Sequence, residues 1–250
     1  MRSIANSFRA ALQFMTAVPV GSGASFSHNT LASAALFFPV IGLCIAVGGV
    51  VLNWAISPYV SHEAAVVIVL AYLVLITGGL HEDALGDAAD GFGGGWHKEQ
   101  ILTIMRDSRV GSFGAIAIAL SLLMRFVFLS NIPQEKFSVY LIAAQVISRW
   151  TALPLGYFLP AARGRDDGQG SMVARQITGL ALVTGSGLMI AIITVAMRTA
   201  SVWVLFAGAV LTCASALYYR SRIGGITGDC LGATSQVTEV AIYLTGVVLH

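Results

Sequence analysis

Six carboxylates, Glu82, Asp83, Asp87, Asp90, Glu99 and Asp107, are gathered in GGLHEDALGDAADGFGGGWHKEQILTIMRDSRVGSFG at residues 78–114, half of all the acidic residues in the chain. Asp83, Asp87 and Asp90 stand at i, i+4 and i+7, so in a helix their side chains share one face. Like charges held together repel, and the simplest neutraliser is a divalent cation. Mg²⁺ takes oxygen ligands, keeps some waters and completes its shell on substrate phosphates. Aspartates so placed fit chemistry at a pyrophosphate, where the cation stabilises charge as a link to phosphorus breaks. Gly91, Gly93, Gly94 and Gly95 directly follow Asp90; they would end the helix and let the backbone approach a ligand. A flexible helix end without a ligand is the simpler alternative.

Two more segments carry polar chemistry. RDSR at residues 106–109 offers Arg106 and Arg109, whose planar forks suit phosphate oxygens, with Asp107 between them to hold one arginine or add a metal ligand. Part of this positive charge is expected from membrane topology alone. GGITGDCLGATSQVTE at residues 224–239 sets Asp229 at the mouth of the last apolar run, with Gln236 and Glu239 about two and three turns deeper. A carboxylate inside a span is costly; it marks a function or a pair with another intramembrane charge, here Arg125 or Arg149. His81 and His97 lack the spacing of a zinc site, and no basic patch interleaved with aromatics points to nucleic acid.

The elements that must position these groups are membrane helices. The chain has 250 residues, 56% hydrophobic and only 10% charged, whereas soluble proteins carry about a quarter charged residues. Each crossing needs roughly 20 apolar residues. Such segments lie near residues 31–56, 63–80, 111–130, 137–160, 177–197, 202–219 and 230–249, giving an all-α, polytopic fold with about seven spans. With the N-terminus in the cytoplasm, the inner segments hold Arg2, Arg9, Lys98, Arg106, Arg109, Arg163, Arg165, Arg175, Arg220 and Arg222. The outer connections hold only Lys136 and Arg198, as the positive-inside rule predicts. The acidic segment 81–110 then faces the cytoplasm, and His250 ends outside. Residues 1–250 read as one membrane domain. Within 1–20, Ile4, Phe8, Leu12 and Met15 recur at helical spacing beside Arg2 and Arg9, an amphipathic helix for the membrane interface or for packing on the bundle. Cys44, Cys213 and Cys230 read as buried thiols without a special role.

Taken together, GGLHEDALGDAADGFGGG at 78–95, IMRDSRVGSFG at 104–114 and GGITGDCLGATSQVTE at 224–239 resemble the cobalamin synthase family, the adenosylcobinamide-GDP ribazoletransferases, and ALQFMTAVPV near the N-terminus resembles that family's opening segment. The resemblance implies an inner-membrane, Mg²⁺-dependent transferase that joins adenosylcobinamide-GDP to α-ribazole, or to α-ribazole 5′-phosphate, and releases GMP late in cobalamin assembly. Asp83, Asp87 and Asp90 match its first acidic motif, Arg106, Asp107 and Arg109 its second, and Asp229 its third. Ala84 and Gly86 depart from the family pattern by exchanging one small residue for another. The resemblance makes Asp83 and Asp87 the holders of Mg²⁺ on the diphosphate and Asp90 a further ligand or a base, with Glu82 the other candidate base. Arg106 and Arg109 would neutralise phosphates; Asp107, Gly93, Gly94 and Asp229 would complete the substrate site. Partners are the two substrates and the bilayer, with room for a homo-oligomer or association with other nucleotide-loop assembly enzymes. Arg163, Arg165, Asp166 and Asp167 would contact substrate or form a solvated loop.

Three rivals use similar parts. CDP-alcohol phosphotransferases of phospholipid synthesis also cluster membrane aspartates around Mg²⁺, but here Gly94 and Gly95 stand where their pattern has Ala-Arg. A prenyltransferase would need a second Asp-rich motif. A secondary transporter would bind near the midplane between internal repeats, and no repeat is visible.

Overall fold

The computed structural model describes residues 2–20, 33–163 and 177–250. Among them the chain folds into eleven α-helices and two short 3-10 turns, with no β-strand. The helices are α1 (Arg2–Met15), α2 (Phe38–Ile56), α3 (His62–Thr77), α4 (Leu80–Gly94), α5 (Lys98–Ile104), α6 (Ser112–Asn131), α7 (Gln134–Trp150), α8 (Ala152–Phe158), α9 (Gly179–Met197), α10 (Ser201–Ile223) and α11 (Gly228–Leu249).

Among the described residues three stretches are long and apolar enough to cross a membrane: Ala35–Ile56, Ser112–Asn131 and Gly179–Ile223. Only 22% to 44% of their most apolar windows is buried within the chain, and Val47, Val51, Ile116, Leu120, Leu123, Val183, Val195 and Phe206 all point outward. Water would not tolerate so much continuous apolar surface, and lipid tails would. The third stretch breaks at Arg198, whose φ is 52°. Its two ends return to the same end of the bundle: Gly179 lies beside Tyr157, and Ile226 donates its N–H to Pro160 O at 2.9 Å.

Helices α7 and α11 form the centre. Helix α7 packs on α2, α9 and α11, while α11 packs on α4, α6, α7 and α10. Although α11 has 22 residues, it falls outside the three apolar stretches because Gln236, Glu239 and several hydroxyl residues lower its hydropathy. The segment expected as one span over 137–160 breaks at Thr151 into α7 and α8. Helix α1 packs on the bundle: Phe8 meets Phe37 edge-on and Phe14 stacks on Phe38, both at 5.7 Å between ring centres. Of its expected apolar stripe Met15 is buried, whereas Ile4 is exposed. One expectation is corrected: Cys230 is buried, but Cys44 and Cys213 are exposed, because they lie on outward faces of α2 and α10.

The bend that presents the acidic helix is local. Helices α3 and α4 meet at 84° across Gly78 and Gly79, with φ of 66° and 71°. Side chains with a Cβ rarely adopt that left-handed region, so the glycines make the corner. Helix α4 carries Glu82, Asp83, Asp87 and Asp90 along its 15 residues, charges that a lipid-facing crossing disfavours. It lies against α6 and α11 instead of continuing α3.

Candidate active site

Helix α4 runs antiparallel to α6. Asp90 meets the first turn of α6, Gly86 lies against Gly114 and Ile118, and Glu82 reaches Arg125 three turns further along. On the other side Ala84 packs against Gly232 of α11. These contacts assign a direction to every carboxylate on α4.

Asp83 is exposed and Asp87 half-buried. Burial, followed by the nearby carboxylates of Asp83, Asp229 and Asp90, pushes the Asp87 carboxyl up to about 6, with Arg163 opposing. Asp229 therefore shares the electrostatic site of α4 across the mouth. Thr227, the N-cap of α11, accepts from Cys230 N at 3.3 Å and donates to Asp229 Oδ2 at 3.2 Å.

Asp90 is engaged otherwise. Its Oδ2 accepts from Gly111 N at 2.7 Å and its Oδ1 from Gly114 N at 2.9 Å, so a buried carboxylate caps the N-terminus of α6, where N–H groups lack helical partners. A Cβ on Gly111 or Gly114 would collide with this carboxylate. The face expected from the i, i+4, i+7 spacing is thus split, with Asp83 and Asp87 toward the mouth and Asp90 between helices. Glu82 also points inward, its Oε1 accepting from Arg125 Nη2 at 2.9 Å and Gln236 Nε2 at 3.2 Å. Among the described residues no three His, Cys, Asp or Glu side chains already converge as a finished cation cage.

The glycines after Asp90 allow close packing. A Cβ on Gly93 would fall 2.6 Å from the Phe113 ring and one on Gly95 2.6 Å from Ile101, while at Gly94 the nearest atom, in Ile104, lies 3.3 Å away. This lets α5 fold back on the end of α4. Arg109 donates to Asp107 through Nε at 2.9 Å and Nη2 at 2.6 Å. These side-chain bonds hold the Asp107 carboxyl down to about 2. The pair is exposed, as is Arg106, so the second motif forms a charged turn before α6.

Two arginines outside the acidic segment close the mouth. Arg222 Nη2 donates to Gly95 O at 3.0 Å, with its guanidinium 5.8 Å from the Tyr218 ring centre. Arg163 Nη2 donates to Leu102 O at 2.8 Å. Arg222 had been legible only as topological charge, since nothing near it in sequence marks it. Residues Arg165, Asp166 and Asp167 lie outside the described residues. Polar segments around 81–110, 160–163 and 222–229 thus meet at one end of the bundle, while Glu239 pairs with Arg125 and Arg149 deeper inside.

Known proteins resemble this chain along nearly its whole length. The family model described as cobalamin-5-phosphate synthase matches residues 7–247. A protein of Ralstonia nicotianae named adenosylcobinamide-GDP ribazoletransferase is 35% identical over 257 residues, covering 97% of this chain and 95% of its own. Proteins with the same name from Leptospira interrogans and Vibrio vulnificus are 34% and 32% identical, covering 96% and 95% of this chain and 94% and 93% of their own. No solved structure matches the chain. With its three polar motifs at one mouth and a match running nearly from end to end, the chain belongs to the cobalamin-5-phosphate synthase family.

Proposed function

We propose that this protein joins adenosylcobinamide-GDP to α-ribazole or α-ribazole 5′-phosphate, forming adenosylcobalamin or its 5′-phosphate and releasing GMP. The observation that carries the reading is the grouping of Asp83, Asp87 and Asp229 at the mouth where the family's motifs meet. That crowding, which raises Asp87, fits Mg²⁺, an ion that needs only one or two protein carboxylates beside substrate phosphates. Asp83 and Asp87 would hold it, with Asp229 close enough to act on Asp87. Bound there, Mg²⁺ supplies charge stabilisation for the diphosphate.

The chain's own residues do the rest. Arg106 and Arg109 approach the phosphates from the exposed turn, and Asp107 keeps Arg109 oriented. Gly93 and Gly94 leave the backbone at the end of α4 open to the nucleotide. The ribazole oxygen attacks the phosphorus that bears cobinamide; the new P–O bond forms as the bond to GMP breaks. With either acceptor the attacking oxygen is a ribose hydroxyl, whose proton passes to Asp229, the mouth carboxylate not assigned to the cation. Asp90 and Glu82, both bonded to donors of the protein itself, hold α4 in place.

The reading extends to the membrane. Seven crossings, by α2, α3, α6, α7 with α8, α9, α10 and α11, place the mouth on the cytoplasmic face of the inner membrane, with α1 beside it. The gathering of Arg106, Arg109, Arg163, Arg220 and Arg222 near that end supports this orientation. Single cysteines at Lys136 and Arg109 test it: an impermeant thiol reagent added outside labels the first and spares the second. The activity is tested by supplying adenosylcobinamide-GDP with α-ribazole, its 5′-phosphate or a CDP-alcohol and identifying products by mass spectrometry. A cobalamin product supports the reading; transfer only from the CDP-alcohol overturns it.

A further inference from the structure

Asp83 and Asp87 account for the mouth-facing side of α4, but the charge on its inner side has no place in that chemistry. Glu82 Oε1 accepts from Arg125 Nη2 at 2.9 Å. Arg125 Nη1 lies 3.3 Å from Glu239 Oε1, and Arg149 Nη1 lies 3.5 Å from Glu239 Oε2. The side chains of Arg125 and Glu239 are 1% exposed, that of Arg149 2% and that of Glu82 12%. Tyr243 donates to Glu239 at 3.2 Å, and Ser121 donates to Gln236 Oε1 at 3.3 Å, turning the Gln236 amide N–H toward Glu82. His81, buried beside them, adds no hydrogen bond through Nε2.

The cluster holds two guanidinium and two carboxylate groups. Arg125, Arg149 and Glu239 come from α6, α7 and α11, and α4 supplies the fourth charge. Withdrawing α4 leaves two arginines facing one glutamate in the bundle interior, where an uncompensated charge is strongly disfavoured.

We propose that Glu82 is the positioning residue of the active site: its charge balances Arg125, fixing the depth and rotation of α4 so that Asp83 and Asp87 face the mouth. Successive helical residues point about 100° apart, so holding Glu82 inward aims its neighbour Asp83 outward. This inference rests on the reading that Asp83 and Asp87 hold the cation. Glu82 acts through Asp83 and receives no proton from the ribazole hydroxyl.

The test uses Mn²⁺ as the probe, with free Mn²⁺ followed by electron paramagnetic resonance on the full chain in detergent and GMP release measured in parallel. Glu82→Gln weakens Mn²⁺ binding by about tenfold or more, the scale of losing a partner behind a metal ligand. Glu82→Gln combined with Arg125→Gln restores charge balance and brings Mn²⁺ affinity and turnover to within about fivefold of wild type. Wild-type Mn²⁺ affinity in Glu82→Gln overturns the inference. So does a loss of turnover that the double variant does not recover while Mn²⁺ affinity is unchanged, because an amide at position 82 cannot serve as a base. If Glu82→Gln does not fold, the double variant alone decides: near-wild-type affinity supports the inference, and weakening beyond about tenfold contradicts it. A wild-type protein that binds no Mn²⁺ refutes the cation reading itself, an outcome distinct from the others.

Discussion

The carboxylate of Asp90 caps α6 from another helix, with Gly114 N donating to Oδ1 at 2.9 Å. This contact requires glycine at position 114, where an added methyl would strike Asp90 and approach Gly86 O to 2.9 Å. Gly114→Ala therefore separates α4 from α6. The expected loss is about 1–3 kcal/mol of stability, read as a lower melting temperature in detergent, with turnover falling alongside. Ser112→Ala, at an exposed neighbouring position, changes neither.

Asp90 and Asp83 separate by the same assay. Asp90→Asn removes the charge from a capping site and one of its two acceptor oxygens, costing about 1 kcal/mol or more. Asp83→Asn, on the exposed face, leaves stability within about 0.5 kcal/mol yet lowers GMP release by about 100-fold or more, as expected when charge stabilisation of the reacting phosphate is lost. Paired melting and turnover measurements check both. A stable, inactive Asp90→Asn enzyme would assign Asp90 to the chemistry instead.

How much of this was legible in the sequence depends on whether a residue's role is local. The helix bearing Asp83, Asp87 and Asp90 and the long apolar runs follow from short-range spacing, whereas the corner at Gly78 and Gly79 falls inside the span expected over 63–80. The split among the carboxylates does not follow from spacing either. Asp90 turns away because Gly111 and Gly114, more than twenty positions on, leave room for it, and Glu82 turns inward because Arg125 lies buried opposite. The pairing of Glu239 with Arg125 and Arg149 was one of two readings, decided only by helix packing. Arg222 carried no local signal, since its partners are the Phe92 and Gly95 carbonyls on α4.

Cation use will depend on pH through Asp87. Its carboxyl, raised from 3.8 to about 6 by burial and neighbouring carboxylates, must lose its proton to bind a cation. Above that value the Mg²⁺ needed for half-maximal rate stays level; below it, the requirement climbs by up to about tenfold per pH unit for one competing proton. Asp229→Asn removes one repulsive neighbour and moves the onset to lower pH. Half-saturation measured from pH 5 to 8 checks the sign.

The corner before α4 yields a prediction free of packing effects. No atom lies within 4 Å of the position a Cβ would take on Gly79, where φ is 71°, so Gly79→Ala meets only backbone strain. The expected destabilisation is about 1–2 kcal/mol, measured by thermal melting.

The central claim is tested most directly by GMP release from purified protein supplied with adenosylcobinamide-GDP and α-ribazole, with and without Mg²⁺, for wild type and Asp87→Asn. The account predicts Mg²⁺-dependent release matched by cobalamin formation in wild type, and loss of both in Asp87→Asn protein that still melts like wild type. Mg²⁺-independent release, or an Asp87→Asn enzyme with wild-type turnover at limiting Mg²⁺, would contradict it.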